Sequence, residues 1–229
     1  MGTELAQSYR YERKFFVDQM DARGVISLLK LHPAMFSEIY PPRYINNIYL
    51  DSPLMGSYHD NVDGVAERRK ARVRWYHDLF RHVDKPLLEF KLKQGVVGAK
   101  EQYPFPAFTL DDDFTERYFV DVIRGADLPH EAKSRILTQG VVLLNRYLRW
   151  YFATPDLKFR VTVDTELTFY HLNKHRNRFV HKEVDYANIV VELKYQPEDD
   201  PEGNRISAGF PFRMTRSSKY VQGIERVYL

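Results

Sequence analysis

Cysteine is missing from all 229 residues, which excludes disulfides, thiolate metal sites and cysteine nucleophiles and suits a reducing compartment. No run approaches the ~20 apolar residues of a membrane-crossing helix, and the opening "MGTELAQSYR" lacks the apolar segment of a secretory signal, so a cytoplasmic protein with no membrane span is expected. Charge of one sign is also scarce. Lys and Arg number 34 against 31 Asp and Glu, a net +3, so any attraction for polyanions has to be local. Internal repeats, low-complexity tracts, a Walker A phosphate loop and a G-x-S-x-G elbow are all absent.

What the chain does have is grease and charge in alternation. Hydrophobic residues make up 44% and aromatics 14%, enough at this length to bury a core unaided, and a single domain over residues 1–229 is expected. Strand-like runs fall at 10–17, 46–51, 66–76, 87–93, 97–103, 143–152, 157–167, 179–185 and 188–195. Between Lys93 and Lys100, "QGVVGA" carries two glycines where strands reverse, and no helix follows to cradle a phosphate, so it reads as a hairpin turn. Helices are expected at 21–31, at 113–124 behind an acidic "DDD" cap, at 130–139 and in "SSKYVQGIERVYL"; "HPAMF", "YPPRY", "PFPAF" and "QPEDDPEGNR" read as loops. The sum is a strand-dominated α+β chain.

Side chains at i and i+2 of a strand share a face, so each run splits into two stripes. One stripe is apolar: Ala71, Val73 and Trp75; Leu88, Phe90 and Leu92; Phe159, Val161 and Val163; Val191, Leu193 and Tyr195. The other is charged: Glu12 with Lys14; Arg68, Lys70, Arg72 and Arg74; Glu89, Lys91 and Lys93; Arg160, Thr162, Asp164 and Glu166; Glu192 with Lys194. Arg13 breaks the apolar stripe of the first strand. An antiparallel sheet with one face in water would tolerate such stripes. Cations in a row repel one another unless an anion sits among them, however, and a sheet closed into a barrel would aim these stripes across a common lumen, with helices covering the apolar outside. Arginine forks and lysine ammoniums there would grip phosphate oxygens, and carboxylates among them would hold a divalent metal.

The ordered series "YERKF", "NNIYLDS", "SYHDNVDG", "RVRWY", "EFKLKQGVVGAKEQY", "NRYLRWYF", "RVTVDTEL", "VELKY" and "SSKYVQG" resembles the VTC domain, the polyphosphate polymerase branch of the triphosphate tunnel metalloenzymes, or CYTH-like superfamily. The resemblance implies a closed antiparallel eight-stranded β-barrel with a basic tunnel, helices packed outside, and Mn²⁺ or Mg²⁺ on the phosphates. It implies transfer of the γ-phosphate of ATP to a growing polyphosphate chain, with triphosphate and pyrophosphate as related ligands. By position, Lys14, Arg72, Arg74, Lys91, Lys100, Arg149, Arg160, Lys194, Arg216, Ser218 and Lys219 match the phosphate-binding set; Arg72, Arg74, Arg149, Arg160 and Lys219 are its candidate catalytic members, and Glu192 with Glu12 its candidate metal ligands.

Two departures from the family pattern stand out. Glu12 and Lys14 form E-x-K without the second acid of the E-x-E-x-K found in hydrolytic relatives, which weighs against a two-metal hydrolase. Asn61 stands where the family often has a basic residue, and Arg68 and Lys70 either compensate or lie on a solvated strand end. Phosphoryl transfer needs neutralised oxygens and in-line geometry more than a covalent catalyst, so fixed cations and one metal suffice, with Glu12, Glu89 and Asp164 orienting cations or holding metal-bound water, or else forming plain ion pairs. Tyr147 and Tyr151 share a face with Arg149 and are read as packing residues outside the site. His171 and His175 have zinc-ligand spacing in a stretch without a nearby acid and read as solvated. A triphosphatase and a non-catalytic polyanion-binding module are the competing readings; nucleic acid is not expected, because the aromatics occupy the core-facing stripes.

Overall fold

The computed structural model describes residues 9–229. Most of the opening segment read for a secretory signal therefore lies outside the described residues. In chain order the elements are β1 (Arg10–Val17), α1 (Ala22–Leu31), β2 (Ser37–Asp51), α2 (Gly56–Val62), β3 (Glu67–Tyr76), β4 (Arg81–Val83), β5 (Leu87–Gln94), β6 (Val97–Pro104), β7 (Phe108–Leu110), α3 (Glu116–Gly125), α4 (His130–Leu137), β8 (Gly140–Ala153), β9 (Arg160–His171), β10 (Lys182–Asp185), β11 (Ile189–Tyr195), α5 (Asp200–Ala208), β12 (Arg213–Met214) and α6 (Lys219–Tyr228).

Eight strands form a ring, β9-β11-β1-β6-β5-β3-β2-β8 and back to β9, with every neighbour antiparallel. Its seams are unequal. β2 and β8 stay paired from Ser37↔Ala153 to Asp51↔Gly140, whereas β1 and β6 meet only at Arg10↔Gly98 and Tyr11↔Val97 before β12 takes over the edge of β1 at Phe15 and Phe16. The β5–β6 hairpin turns at Gly95, whose φ of 56° suits a residue without a Cβ.

Alternation places the apolar stripes outside the ring, where helices cover them. Ala71, Val73, Trp75, Leu88 and Phe90 pack with Phe119 and Ile123 of α3 and with Ala132 and Ile136 of α4. On the opposite flank Phe15, Val161, Val163, Val191 and Leu193 pack with Val25 and Leu29 of α1 and Ile206 of α5. Arg13, which interrupts the outward stripe of β1, ties down α5: its guanidinium donates to Ser207 Oγ at 2.8 Å, to Asp200 Oδ1 at 2.9 Å and to Asn204 Oδ1 at 2.8 Å.

One helix departs from the outside-only arrangement. Tyr220 and Ile224 of α6 pack with Tyr49, Leu143, Tyr147, Leu167, Phe169 and Val190, side chains of the inward stripes, so α6 stops one end of the ring. Tyr220 donates to Asp51 Oδ2 at 2.5 Å, and Asp51 also caps the start of α2 by accepting from the Ser57 and Tyr58 amides.

Several boundaries differ from the sequence expectation. "YPPRY" lies inside β2, where its two prolines, which cannot donate to the ladder, coincide with a register shift between Tyr40 and Arg43. "QPEDDPEGNR" is a 3₁₀ turn running into α5, with Pro201 in the first helical turn where its missing N–H costs nothing. The cap of α3 is Thr115, accepting from Tyr118 N, and not the preceding aspartates. The sequence reading missed α2 and the short strands β4, β7 and β12.

Gly223 of α6 sits so close to the ring that an added Cβ would lie 2.4 Å from Leu143 Cδ2 and 2.7 Å from Phe169 Cδ1. Gly223→Val is expected to cost about 1–3 kcal/mol through overpacking and to lower the melting temperature by several degrees in calorimetry. An unchanged melting temperature would show that α6 does not seat tightly on these two side chains.

Candidate functional site

Inside the ring the charged stripes meet. Glu89 of β5 is fully buried and organises one group: Arg72 donates to its Oε2 from Nε at 2.8 Å and Nη2 at 2.6 Å, Arg74 Nη1 lies 3.5 Å from the same oxygen, and Oε1 accepts from Lys100 at 3.1 Å and Gln102 at 2.5 Å. Burial would raise the Glu89 pKa, but Arg74, Arg72 and Lys100 hold it far below the usual carboxylate range. Asp164 of β9 organises a second group, gripped bidentately by Arg149 at 2.5 and 2.7 Å and by Lys219 of α6 at 2.6 Å; against the cost of burial these two cations bring its pKa to about 2. A third group is looser. Lys91 binds Glu12 at 2.6 Å, while Glu192 has Lys194 at 2.9 Å, Lys14 at 3.7 Å and Arg149 at 3.9 Å.

Positive charge is in excess in this lumen. Among the described residues, eight cations (Lys14, Arg72, Arg74, Lys91, Lys100, Arg149, Lys194 and Lys219) share four carboxylates (Glu12, Glu89, Asp164 and Glu192), and Lys70 stands beside them without one. Lys70 carries the cost most plainly. It is cross-strand neighbour to Lys91, which is in turn neighbour to Lys100, and its ammonium donates to the Ser218 hydroxyl at 3.1 Å with no carboxylate within ion-pair distance among the described residues. Burial, together with Lys14 and Lys91, pushes its pKa well below the ordinary lysine value; burial and Lys91 likewise bring Lys14 down to about 8.

Of the residues singled out in the sequence, Lys14, Arg72, Arg74, Lys91, Lys100, Arg149, Lys194, Lys219, Glu12 and Glu192 are brought together by these contacts. Ser218 caps α6 and takes the Lys70 proton donor. Arg160 and Arg216 are exposed; Arg216 lies against the Gly64 turn. Glu166 is turned out of the stripe, because a register shift in the β8–β9 pairing and a φ of 54° rotate it to the outer face, where it accepts from Tyr44 Oη at 2.6 Å. Arg68 donates to the Val65 carbonyl at 2.6 Å. His171 packs tilted against Tyr228 with ring centres 4.4 Å apart, and among the described residues no cluster of three or more His, Cys, Asp or Glu is suited to a metal.

Sequence reasoning offered Lys70 only as a compensation for Asn61, and left out Gln102, Asn47 and Tyr147. The last of these lies at the centre of the cations: its hydroxyl accepts from Arg74 Nη2 at 3.1 Å, and Arg149 and Lys219 lie over its ring at 5.2 and 4.9 Å. The signal was its place two residues before Arg149 on one strand face.

Two carboxylates, Glu12 and Glu192, share a neighbourhood; beyond burial and Lys91, Glu192 acts on Glu12 by raising its pKa, although the net shift is downward. Thr162, cross-strand partner of Glu192, keeps a buried Oγ1 without a hydrogen-bond partner. One or two carboxylates fit Mg²⁺ or Mn²⁺ that takes its remaining ligands from water and substrate, and do not make an all-protein cage.

Burial pushes the Tyr147 pKa up, but Arg149 and Arg74 bring it down to about 8. Ultraviolet titration is expected to show one tyrosine ionising near that value, ahead of Tyr195 and Tyr220, which are shifted upward, and Tyr147→Phe should abolish the early step. Because the phenolate adds negative charge beside the cations, affinity for tripolyphosphate should fall as pH rises through this step in the wild type, and the fall should be shallower in Tyr147→Phe.

Comparison with known proteins agrees with this architecture. A search of curated proteins finds no match. Among solved structures, the ring superposes on the putative adenylyl cyclase HpAC1 from Hippeastrum with a TM-score of 0.52 at 11% identity, covering 97% of each chain; that protein is described as having a dominant triphosphatase activity. It also superposes on a putative adenylate cyclase from Bacillus halodurans with a TM-score of 0.55 at 11% identity, covering 98% of this chain and 100% of the other. At such identity the likeness concerns the fold. The family model of the VTC domain matches residues 9–228, and with nearly the whole chain matched, the protein belongs to the VTC domain family.

Proposed function

We propose that this chain acts as one tunnel domain that transfers the γ-phosphoryl group of ATP to the end of a polyphosphate chain. The observation that carries the reading is the excess of buried cations over carboxylates, felt at Lys14 and Lys70, which stand beside Lys91 while Glu12 is taken up by Lys91. A linear polyanion relieves that repulsion along its whole length.

The residues divide by how firmly they are held. Glu89 fixes Arg72 and Arg74, and Asp164 fixes Arg149 and Lys219, so these four present donors at set positions before any substrate arrives. Preorganised donors of this kind neutralise charge on the transferring group at no reorganisation cost. Lys14 and Lys70 are more weakly balanced and, with Lys91, receive the neighbouring phosphates. A bound Mn²⁺ or Mg²⁺, held by Glu192 with Glu12, would add charge neutralisation on the phosphate oxygens. In the transfer a terminal oxygen of the acceptor phosphate forms a bond to the γ-phosphorus, and the bond from that phosphorus to the β–γ bridging oxygen breaks, releasing ADP. Water at the acceptor position would give hydrolysis instead. The family membership and the single first-strand acid, Glu12 with Arg10 two residues before it, favour transfer.

Incubation of the purified chain with ATP and Mn²⁺, followed by gel separation of the products, is expected to give polyphosphate, and Arg74→Ala to cut the rate by about 10²-fold or more. Release of orthophosphate with no polymer would replace the transferase reading by the triphosphatase; binding of polyphosphate without any turnover would leave only a binding module. Glu89→Gln removes the hub of one cation group and is expected to cost about 3–5 kcal/mol of stability, measured by urea unfolding. Tripolyphosphate at saturating concentration should restore a substantial part of that loss, more than it adds to the wild type.

A further inference from the structure

The lumen described above is stopped by α6 at the end where β2 finishes and β8 begins. At the opposite end, where β3 and β8 finish, three tyrosines surround an arginine. Arg43 of β2 is the cross-strand partner of Arg149. Its guanidinium carbon lies 4.5 Å from the ring centre of Tyr76, 5.0 Å from that of Tyr151 and 6.0 Å from that of Tyr40, and its Nε donates to Tyr151 Oη at 3.1 Å. Unlike Arg72, Arg74 and Arg149, Arg43 pairs with no carboxylate among the described residues. Tyr40 stands edge-on to Tyr151 with centres 5.9 Å apart and is 55% exposed, a large aromatic surface left toward solvent. The two prolines between Tyr40 and Arg43 set this geometry, since the register shift there moves Tyr40 out of step with the rest of β2.

We infer that Tyr40, Arg43, Tyr76 and Tyr151 form the seat of the nucleobase of the nucleoside triphosphate, at the mouth opposite α6. The inference rests on the triphosphate lying in the lumen as proposed above. A triphosphate among Arg72, Arg74 and Arg149 cannot carry its nucleoside toward α6, whose Tyr220 and Ile224, packed on Leu143 of β8 and Phe169 of β9, fill that end. The nucleoside must therefore leave by the other mouth, and the first groups it meets are these. Tyr151 follows Arg149 by two residues on the same face, about 7 Å along the strand, a span that ribose and base can bridge. Flat aromatic and guanidinium surfaces stack on any base, so the seat would favour purines, with their larger face, over pyrimidines without reading their edges. Tyr151 is also set between Arg43 and Arg149 electrostatically: burial raises its pKa, and both arginines oppose the rise.

The test compares a non-hydrolysable ATP analogue with inorganic tripolyphosphate, both titrated calorimetrically into the wild type, Tyr40→Leu and Arg43→Ala, with Mg²⁺ present. Tyr40→Leu changes an exposed ring and serves where loss of Arg43 unsettles the β2 register. The expected result is a ratio of analogue to tripolyphosphate affinity that falls about fivefold or more in either variant, from loss of base stacking. Equal changes for both ligands, or none, in Tyr40→Leu and Arg43→Ala would overturn the nucleobase seat while leaving the triphosphate lumen in place. A wild type that binds neither ligand would instead overturn the lumen reading, and the seat with it.

Discussion

Repulsion among like charges held inside a protein is the constraint from which the rest of this structure follows. Taking many ammonium and guanidinium groups out of bulk water is affordable only when each has an anion nearby, and here the anions are rationed. Glu89 and Asp164 are spent on fixing arginines; Glu12 and Glu192 are spread over lysines and Arg149. The ring is what makes the arrangement possible, because a closed sheet can point every second side chain of eight strands at a shared axis and leave the alternate residues to build two apolar clusters with the outer helices.

Packing and electrostatics are coupled through α6. Its Tyr220 and Ile224 belong to the apolar lining of one end, while Lys219, one residue earlier, reaches the buried Asp164. The same helix thus closes the lumen and completes a cation group. Ser218, at its cap, accepts from Lys70, so the helix start also supplies an oxygen to the least balanced lysine.

Much of this was legible in the chain alone because a two-residue period is hard to disguise. The runs around Arg72, Glu89, Asp164 and Glu192 show charge on one stripe and aliphatic residues on the other, and both stripes fall where expected. Legibility failed where the backbone breaks the period. Glu166 was counted with Asp164 until the irregular pairing of β8 with β9 turned it outward, and "YPPRY" looked like a loop because prolines rarely sit within a ladder. It also failed where a residue type carries two meanings: Tyr147 is as suited to a core as to a cation cluster, and only the three-dimensional neighbourhood of Arg74, Arg149 and Lys219 separates the two. Arg13 is the reverse case, a charge on the apolar stripe that serves packing by fastening α5.

The joining of β1 to the α6 segment has a consequence for biogenesis. Lys14 donates to the Ser217 carbonyl across 203 residues of sequence, and Lys70 reaches Ser218 across 148. Contacts this distant form late and slowly, since the intervening loop must be closed before they contribute. On a nascent chain the oxygens that Ser217 and Ser218 offer to Lys14 and Lys70 therefore arrive only after the α6 segment has been made and has docked.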